Sequence, residues 1–177
     1  IDIQYNGDIA SHNVSILSSY FLVGLLKPIL DTPVNLVNAP HIAKTRGIKL
    51  HEIKTMEMED FTNLITVTVK TDNEERSFSG TVFSEEPRIV RINGYSIDAV
   101  PEGHMLVTFH TDKPKIVGPV ATALGEYNIN IASMQVGRES QGGKAIMFLS
   151  VDSEVPQDTL EEISRVDGIA DVKYVYL

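Results

Sequence analysis

The chain has no cysteine among its 177 residues, which excludes disulfides, iron–sulfur ligation, thiolate zinc sites and a cysteine nucleophile. It is also short of positive charge. Fifteen Lys and Arg stand against 24 Asp and Glu, for a net charge of -9, and the basic residues are scattered rather than gathered on one helix. A phosphate backbone would be repelled by that field, so nucleic acid is not an expected partner. No Gly-x-Gly-x-x-Gly turn follows a strand, and no Gly-Lys phosphate loop, Ser-centred elbow or His-Glu-x-x-His is present. The sequence therefore carries no catalytic site and no cofactor site of its own. Its five histidines, His12, His41, His51, His104 and His110, include no i, i+4 pair, and no metal site is expected. The one long apolar stretch, from about Val14 to Leu30, is too short and too Ser-rich at its start to span a membrane. It also lacks the basic face of a membrane-surface helix, so a buried helix is expected, with Gly24 permitting close contact and Pro28 in its last turn. A cytoplasmic location fits the cysteine-free composition. The chain opens at Ile1 with neither a Met nor a basic-then-apolar leader, and it reads as a piece of a longer polypeptide.

What is present is enough apolar material for a core. At 42% hydrophobic residues, a chain of this length can bury roughly 70% of its unfolded surface in one or two domains. Ile1 to Tyr5 alternates as a strand ended by Asn6-Gly7, and the Val14–Leu30 helix follows. Val34 to Val37 reads as a short strand, Ala39 to Arg46 as one or two helical turns, and Ile48 to Lys54 as a strand with one face to solvent. Leu64–Lys70, Arg76–Phe83 and Arg88–Ile92 read as a meander, with turns at Asp72-Asn73 and Glu85-Glu86-Pro87. Pro101 and Gly103 interrupt the pattern, and the division falls there, giving domains 1–100 and 101–177.

The second domain is the more legible. Met105 to Phe109 is a strand that polar His110, Thr111 and Asp112 bring to an end at Pro114. Ile116, Val117, Val120, Ala123, Leu124 and Tyr127 then fall on one helical stripe. Pro119 requires that this helix begin near Ile116 or have a distorted first turn. A strand from Asn128 to Val136, a Gly142-Gly143 hairpin and a strand from Ala145 to Val151, apolar on both faces, come next. A short helix carrying Leu160, Ile163 and Val166 and an alternating strand from Asp171 to Leu177 close the chain. The order β-α-β-β-α-β is that of the ferredoxin-like fold. The fold class is α+β: an α/β first domain with a mixed sheet, then the ferredoxin-like domain.

Particular residues carry a family likeness. His110-x-Asp112-x-Pro114, Gly118, Asn128-Ile-Asn130-Ile-Ala and Met134-Gln-Val-Gly-Arg138 resemble the ACT regulatory domain of bacterial D-3-phosphoglycerate dehydrogenases. Upstream, Val37-Asn-Ala-Pro40, Arg46-Gly47, Phe78-Ser-Gly-Thr-Val-Phe83 and Arg88-Ile-Val-Arg-Ile-Asn-Gly94 are similar to the intervening, allosteric substrate binding domain of the long form of the same enzymes. The resemblance implies a noncatalytic regulatory and oligomerisation piece, a dimer or tetramer, of an NAD-dependent enzyme of L-serine synthesis. NAD would bind only the parent enzyme, not this piece.

Three residues form the candidate effector site. His110 and Asp112 lie two apart at the end of one strand, and Asn130, 18 residues beyond Asp112, is expected to begin the adjacent strand. Asp112 and the Asn130 carboxamide could take an amino acid's ammonium group, with free N–H groups at the following helix start for its carboxylate. The alternative is plain capping: Asp112 as a helix N-cap and Asn130 as a turn residue after a helix. The resemblance implies that His110, Asp112 and Asn130 hold L-serine between two such domains. One departure is Lys115, where the family pattern has Gly directly after the proline, so that a side chain stands where the backbone would approach the ligand. A second candidate, carried by the resemblance, is an anion pocket on Arg88, Arg91 and Lys44. Two other readings stand beside this one: a purely structural oligomerisation module without ligand, and the regulatory part of an L-serine dehydratase.

Overall fold

Alternation at the start of the chain becomes strand β1 (Asp2–Gly7) in the computed structural model, which describes residues 1–58 and 60–177. Ile3 and Tyr5 turn inward and are buried with Val14. Gly7 ends the strand with φ +88°, and a Cβ there would stand 1.9 Å from the Thr62 carbonyl oxygen, so only glycine fits. Helices α1 (Ser15–Leu26) and α2 (Ala39–Thr45) pack together through Leu22, Leu26, Ala39 and Ala43. A 3-10 turn at Lys27–Ile29, built around Pro28, finishes the first helix. Strand β2 (His51–Thr55) then returns parallel to β1, the geometry that a helical crossover between them permits. On the other side of β1, β3 (Asn63–Lys70) runs antiparallel to it and β4 (Glu75–Phe83) antiparallel to β3, which makes the sheet mixed.

The strand expected at Val34–Val37 is not formed. Asn35 Oδ1 accepts the N–H groups of Val37 and Asn38, and Asn38 Oδ1 accepts that of Asn35, so local side-chain bonds fold the segment into the turn that opens α2.

By compactness the chain divides into two units, Ile1–Val82 and Phe83–Leu177. The second opens with a hairpin of β5 (Glu86–Ile92) and β6 (Tyr95–Ala99) around Asn93-Gly94, whose φ angles of 49° and 83° are those of a two-residue type I′ turn. The strand pattern in the sequence ends the meander at β5, and the structure adds β6, for which Asn93-Gly94 is the strong hairpin signal. Then follow β7 (His104–Thr111), α3 (Val117–Glu126), β8 (Ile131–Arg138), β9 (Lys144–Val151), α4 (Gln157–Ser164) and β10 (Ile169–Tyr176). Pro119 is the third residue of α3, where its missing N–H breaks no helical bond.

These strands pair in the order β10-β7-β9-β8, all neighbours antiparallel, which is the ferredoxin-like sheet. Leu106, Met147 and Leu149 face the helices and pack with Val120, Leu124 and Ile163. Met105, Val107, Ile146 and Phe148 face the other way and pack with Ile92, Ile97 and Ala99 of the β5–β6 hairpin. Burial on both sides explains the unbroken apolar run Ala145–Leu149 in β9, each large side chain contributing about 1.5–3 kcal/mol. The hairpin thereby joins the second unit by packing, whereas the sequence places the division at 99–103. The hairpin comes close to the sheet at Gly137 in β8, where a Cβ would lie 2.6 Å from the Ser96 carbonyl oxygen.

Candidate functional site

The last residues of β7 approach the β8–β9 turn because β7 and β8 both run antiparallel to β9 and so end at the same rim of the sheet. Asp112, just past that end, is held there by its backbone and its side chain. Its N–H donates to Gly143 O at 2.8 Å, and its Oδ2 accepts from Gly142 N–H at 3.1 Å and from Arg138 Nη1 at 3.2 Å. The Gly142 N–H, followed by the Arg138 guanidinium, holds the carboxyl below its ordinary range, so Asp112 is an anion throughout the neutral region. Both hydrogen bonds fall on one oxygen, and Oδ1 takes none from the described residues.

His110 sits two residues back, on the helix side of the sheet, and is buried at 5% exposure with Nδ1 3.3 Å from Thr108 Oγ1. Burial pushes its imidazole below the usual histidine value, against the opposing pull of Thr108 and Asp112. From Asp112 the chain turns into α3 through Lys113, whose Nζ pairs with Asp167 Oδ2 at 2.7 Å. Lys115 there adopts φ +67° with its side chain exposed. The loop thus keeps the left-handed conformation that glycine favours, with a lysine in it. The N-cap of α3 is Ile116, without a side-chain bond, so Asp112 is not the helix cap that the alternative reading makes it.

Asn130 lies elsewhere. His104 pairs with Val151 and Thr111 with Lys144, while Ile131 pairs with Val151 and Arg138 with Ala145. The beginning of β8 is therefore at the opposite rim from the end of β7, roughly 23 Å away at 3.3 Å per strand residue. There Asn130 is exposed and its Nδ2 donates to Asp152 Oδ2 at 2.8 Å. The expectation that one helical crossover brings Asp112 and Asn130 together within one chain is corrected: two parallel strands joined by a helix start at one rim and end at the other, and β9 lies between them. The residue that does meet Asp112 is Arg138. In the sequence Arg138 stands out only as part of a motif, and the signal that points to it as a site residue is the β-α-β-β order, which sends both strand ends to one rim.

In the second candidate set, Arg88 already donates to Glu86 Oε2 at 2.7 Å and to Asp98 Oδ1 at 3.0 Å, and the first of these raises its pKa further. Arg88 and Arg91 belong to β5 in the second unit, and Lys44 to α2 in the first. Among the described residues no group of three or more His, Asp and Glu could hold a metal ion, and no helix is long and apolar enough to cross a membrane.

Comparison with known proteins agrees with the motifs. Residues 1–93 match the D-3-phosphoglycerate dehydrogenase intervening domain family. The chain belongs to that family. Residues 104–168 match the ACT domain, so the intervening domain is followed here by an ACT domain in the ferredoxin-like unit, as the sequence motifs imply. Over its whole length the chain is 40% identical to a D-3-phosphoglycerate dehydrogenase of Methanocaldococcus jannaschii, and it is 40% identical over 180 residues to one of Bacillus subtilis. Identity to the chloroplastic D-3-phosphoglycerate dehydrogenase 3 of Arabidopsis thaliana is 29% over 175 residues, with 92% of this chain covered. The chain spans about a third of the length of these relatives, 34% for the first two and 30% for the last.

Proposed function

We propose that the chain is the regulatory and oligomerisation region of a cytoplasmic, NAD-dependent D-3-phosphoglycerate dehydrogenase of L-serine synthesis. Residues 1–100 act as the intervening domain and residues 101–177 as the ACT domain. The ACT domain holds an amino-acid effector, L-serine, between two copies, on Asp112 of one and Asn130 of the other, with His110 beneath.

The observation that supports this reading is the edge strand β8. It is the last strand of its sheet, its outer edge pairs with no other strand among the described residues, and Met134 and Val136 are 39% and 48% exposed on it. Antiparallel pairing of β8 with the β8 of a second copy runs the Ile131 end of one along the Arg138 end of the other, so the second copy's Asn130 arrives at the rim that carries Asp112. A two-fold axis thereby reunites residues that one chain keeps apart. An effector bound in both halves favours one arrangement of the pair, and linkage passes that preference to the dehydrogenase portion.

The purely structural oligomerisation module draws its support from Lys115, which puts a side chain where family members carry glycine. Titration calorimetry of the 177-residue chain with L-serine, together with its mass in solution, separates the two. The effector reading expects heat from the native chain and none from Asp112→Ala, both dimeric. A dimer silent toward L-serine and other amino acids leaves only the structural module, and a monomer removes both.

A further inference from the structure

We propose that Arg138 is the specificity-determining residue that reads the effector's carboxylate, so that Asp112 and Arg138 together form a preassembled complement to a zwitterion. This rests on the effector reading above and names the chemistry of that same site: an α-amino acid with a free carboxylate.

The geometry is one of divided labour. Asp112 Oδ2 is anchored by Gly142 N–H and by Arg138 Nη1, which leaves Oδ1 for an incoming ammonium group. A guanidinium is a planar fork of five N–H donors, and only Nη1 of Arg138 is engaged with Asp112, so the fork retains donors beside that carboxylate. In an α-amino acid the nitrogen and the carboxylate carbon are about 2.5 Å apart, from standard bond lengths and angles. The two charged ends must therefore find partners that are themselves in contact. Asp112 and Arg138 are in contact at 3.2 Å, whereas the first amides of α3 come five residues beyond Asp112, past the left-handed turn at Lys115. Arg138 is 59% exposed and also lines an open groove with Tyr95, Ser96, Glu139 and Lys144, so a ligand reaches it without any rearrangement of the core. The ammonium can add to Oδ1 while the existing pair stays intact, and neither charge has to be uncovered first.

The test is a double comparison by calorimetry: native chain and Arg138→Gln, each with L-serine and with L-serinamide, which keeps the ammonium and lacks the carboxylate. Loss of a charge-assisted contact is expected to weaken L-serine binding by roughly 10- to 100-fold in Arg138→Gln, while L-serinamide, having no carboxylate to lose, binds both proteins within about twofold. Arg138→Lys is expected to recover part of the L-serine affinity, because the charge is kept and the fork is lost. Equal weakening of both ligands would show that Arg138 acts only by orienting Asp112, and no change for L-serine would remove it from recognition. Either result overturns this proposal and leaves the effector reading standing, whereas a native chain that binds no amino acid overturns both.

Discussion

Asp112 and Asn130, 18 residues apart in sequence, stand at opposite rims of one four-stranded sheet, because the strands that carry them run the same way with β9 between them. A ligand touching both needs two chains. Mixing the inactive variants Asp112→Ala and Asn130→Ala is therefore expected to restore binding. A mixed dimer has one site built from the two intact residues and one from the two alanines, so random assortment recovers about one quarter of the native sites. Calorimetric stoichiometry of the mixture checks this, and a mixture as silent as its components would mean that one copy supplies both residues or that neither is used.

Lys115 bears a cost that glycine would not. A β-carbon at φ +67° crowds the following carbonyl, and the exposed lysine side chain makes no hydrogen bond among the described residues that offsets it. Lys115→Gly is expected to stabilise the chain by about 0.5–1 kcal/mol, the relief of strain exceeding the extra entropy of unfolded glycine. Urea denaturation reads this as a higher midpoint at unchanged slope. A lower midpoint would mean that the side chain contributes a contact of its own.

Gly137 and Gly125 offer opposite outcomes for the same added methyl group. At Gly137 a Cβ meets Ser96 O at 2.6 Å and Ile146 Cγ2 at 3.2 Å, so Gly137→Ala is expected to cost roughly 1–3 kcal/mol by forcing the β5–β6 hairpin away from the sheet. At Gly125, in α3, nothing lies within 4 Å, and Gly125→Ala is expected to be neutral or stabilising by up to about 1 kcal/mol. Thermal melts of the two variants distinguish them, and equal effects would contradict the hairpin packing.

His110 predicts a pH dependence whose sign follows from its burial. Its folded pKa lies below the ordinary 6.5, so between those two values the unfolded chain binds more protons than the folded one. Stability due to this group is complete above about 6.5 and falls as the pH drops through that window. Asp112 is shifted in the same direction but from a much lower ordinary value, so its contribution is lost only as the pH falls through the carboxylate range and below it. Denaturation midpoints measured from pH 7.5 down to 5 should decline for the native chain, and the decline should be shallower in His110→Gln. Parallel slopes would assign the pH dependence to other groups.

How much of this was legible beforehand depends on the range of the interaction. The β-rich run Met105–Phe109, the 3.6-residue stripe from Ile116 to Leu124 and the Gly142-Gly143 turn are local patterns, and each element appears where its pattern puts it. Motifs such as Met134-Gln-Val-Gly-Arg138 were likewise sufficient to name the family. Val34–Val37 does not form a strand because the side chains of Asn35 within it and Asn38 after it supply backbone partners that no apolar pattern reveals. β6 is hidden in the sequence because its turn, Asn93-Gly94, falls inside a family motif and the strand after it is only five residues long.

The sequence by itself determined the β-α-β-β-α-β order of the second domain, the two domain types and the family, since these follow from side-chain periodicity and from residues close together in the chain. Only the tertiary structure decided which residues are neighbours at the rim of the sheet. It set Arg138 rather than Asn130 against Asp112, and it laid the β5–β6 hairpin over the face of the sheet opposite the helices. The physical reason is that strand order and direction are fixed by pairing between segments far apart in sequence. A helical crossover leaves its two strands parallel, so the end of one and the start of the next are separated by the whole length of the sheet.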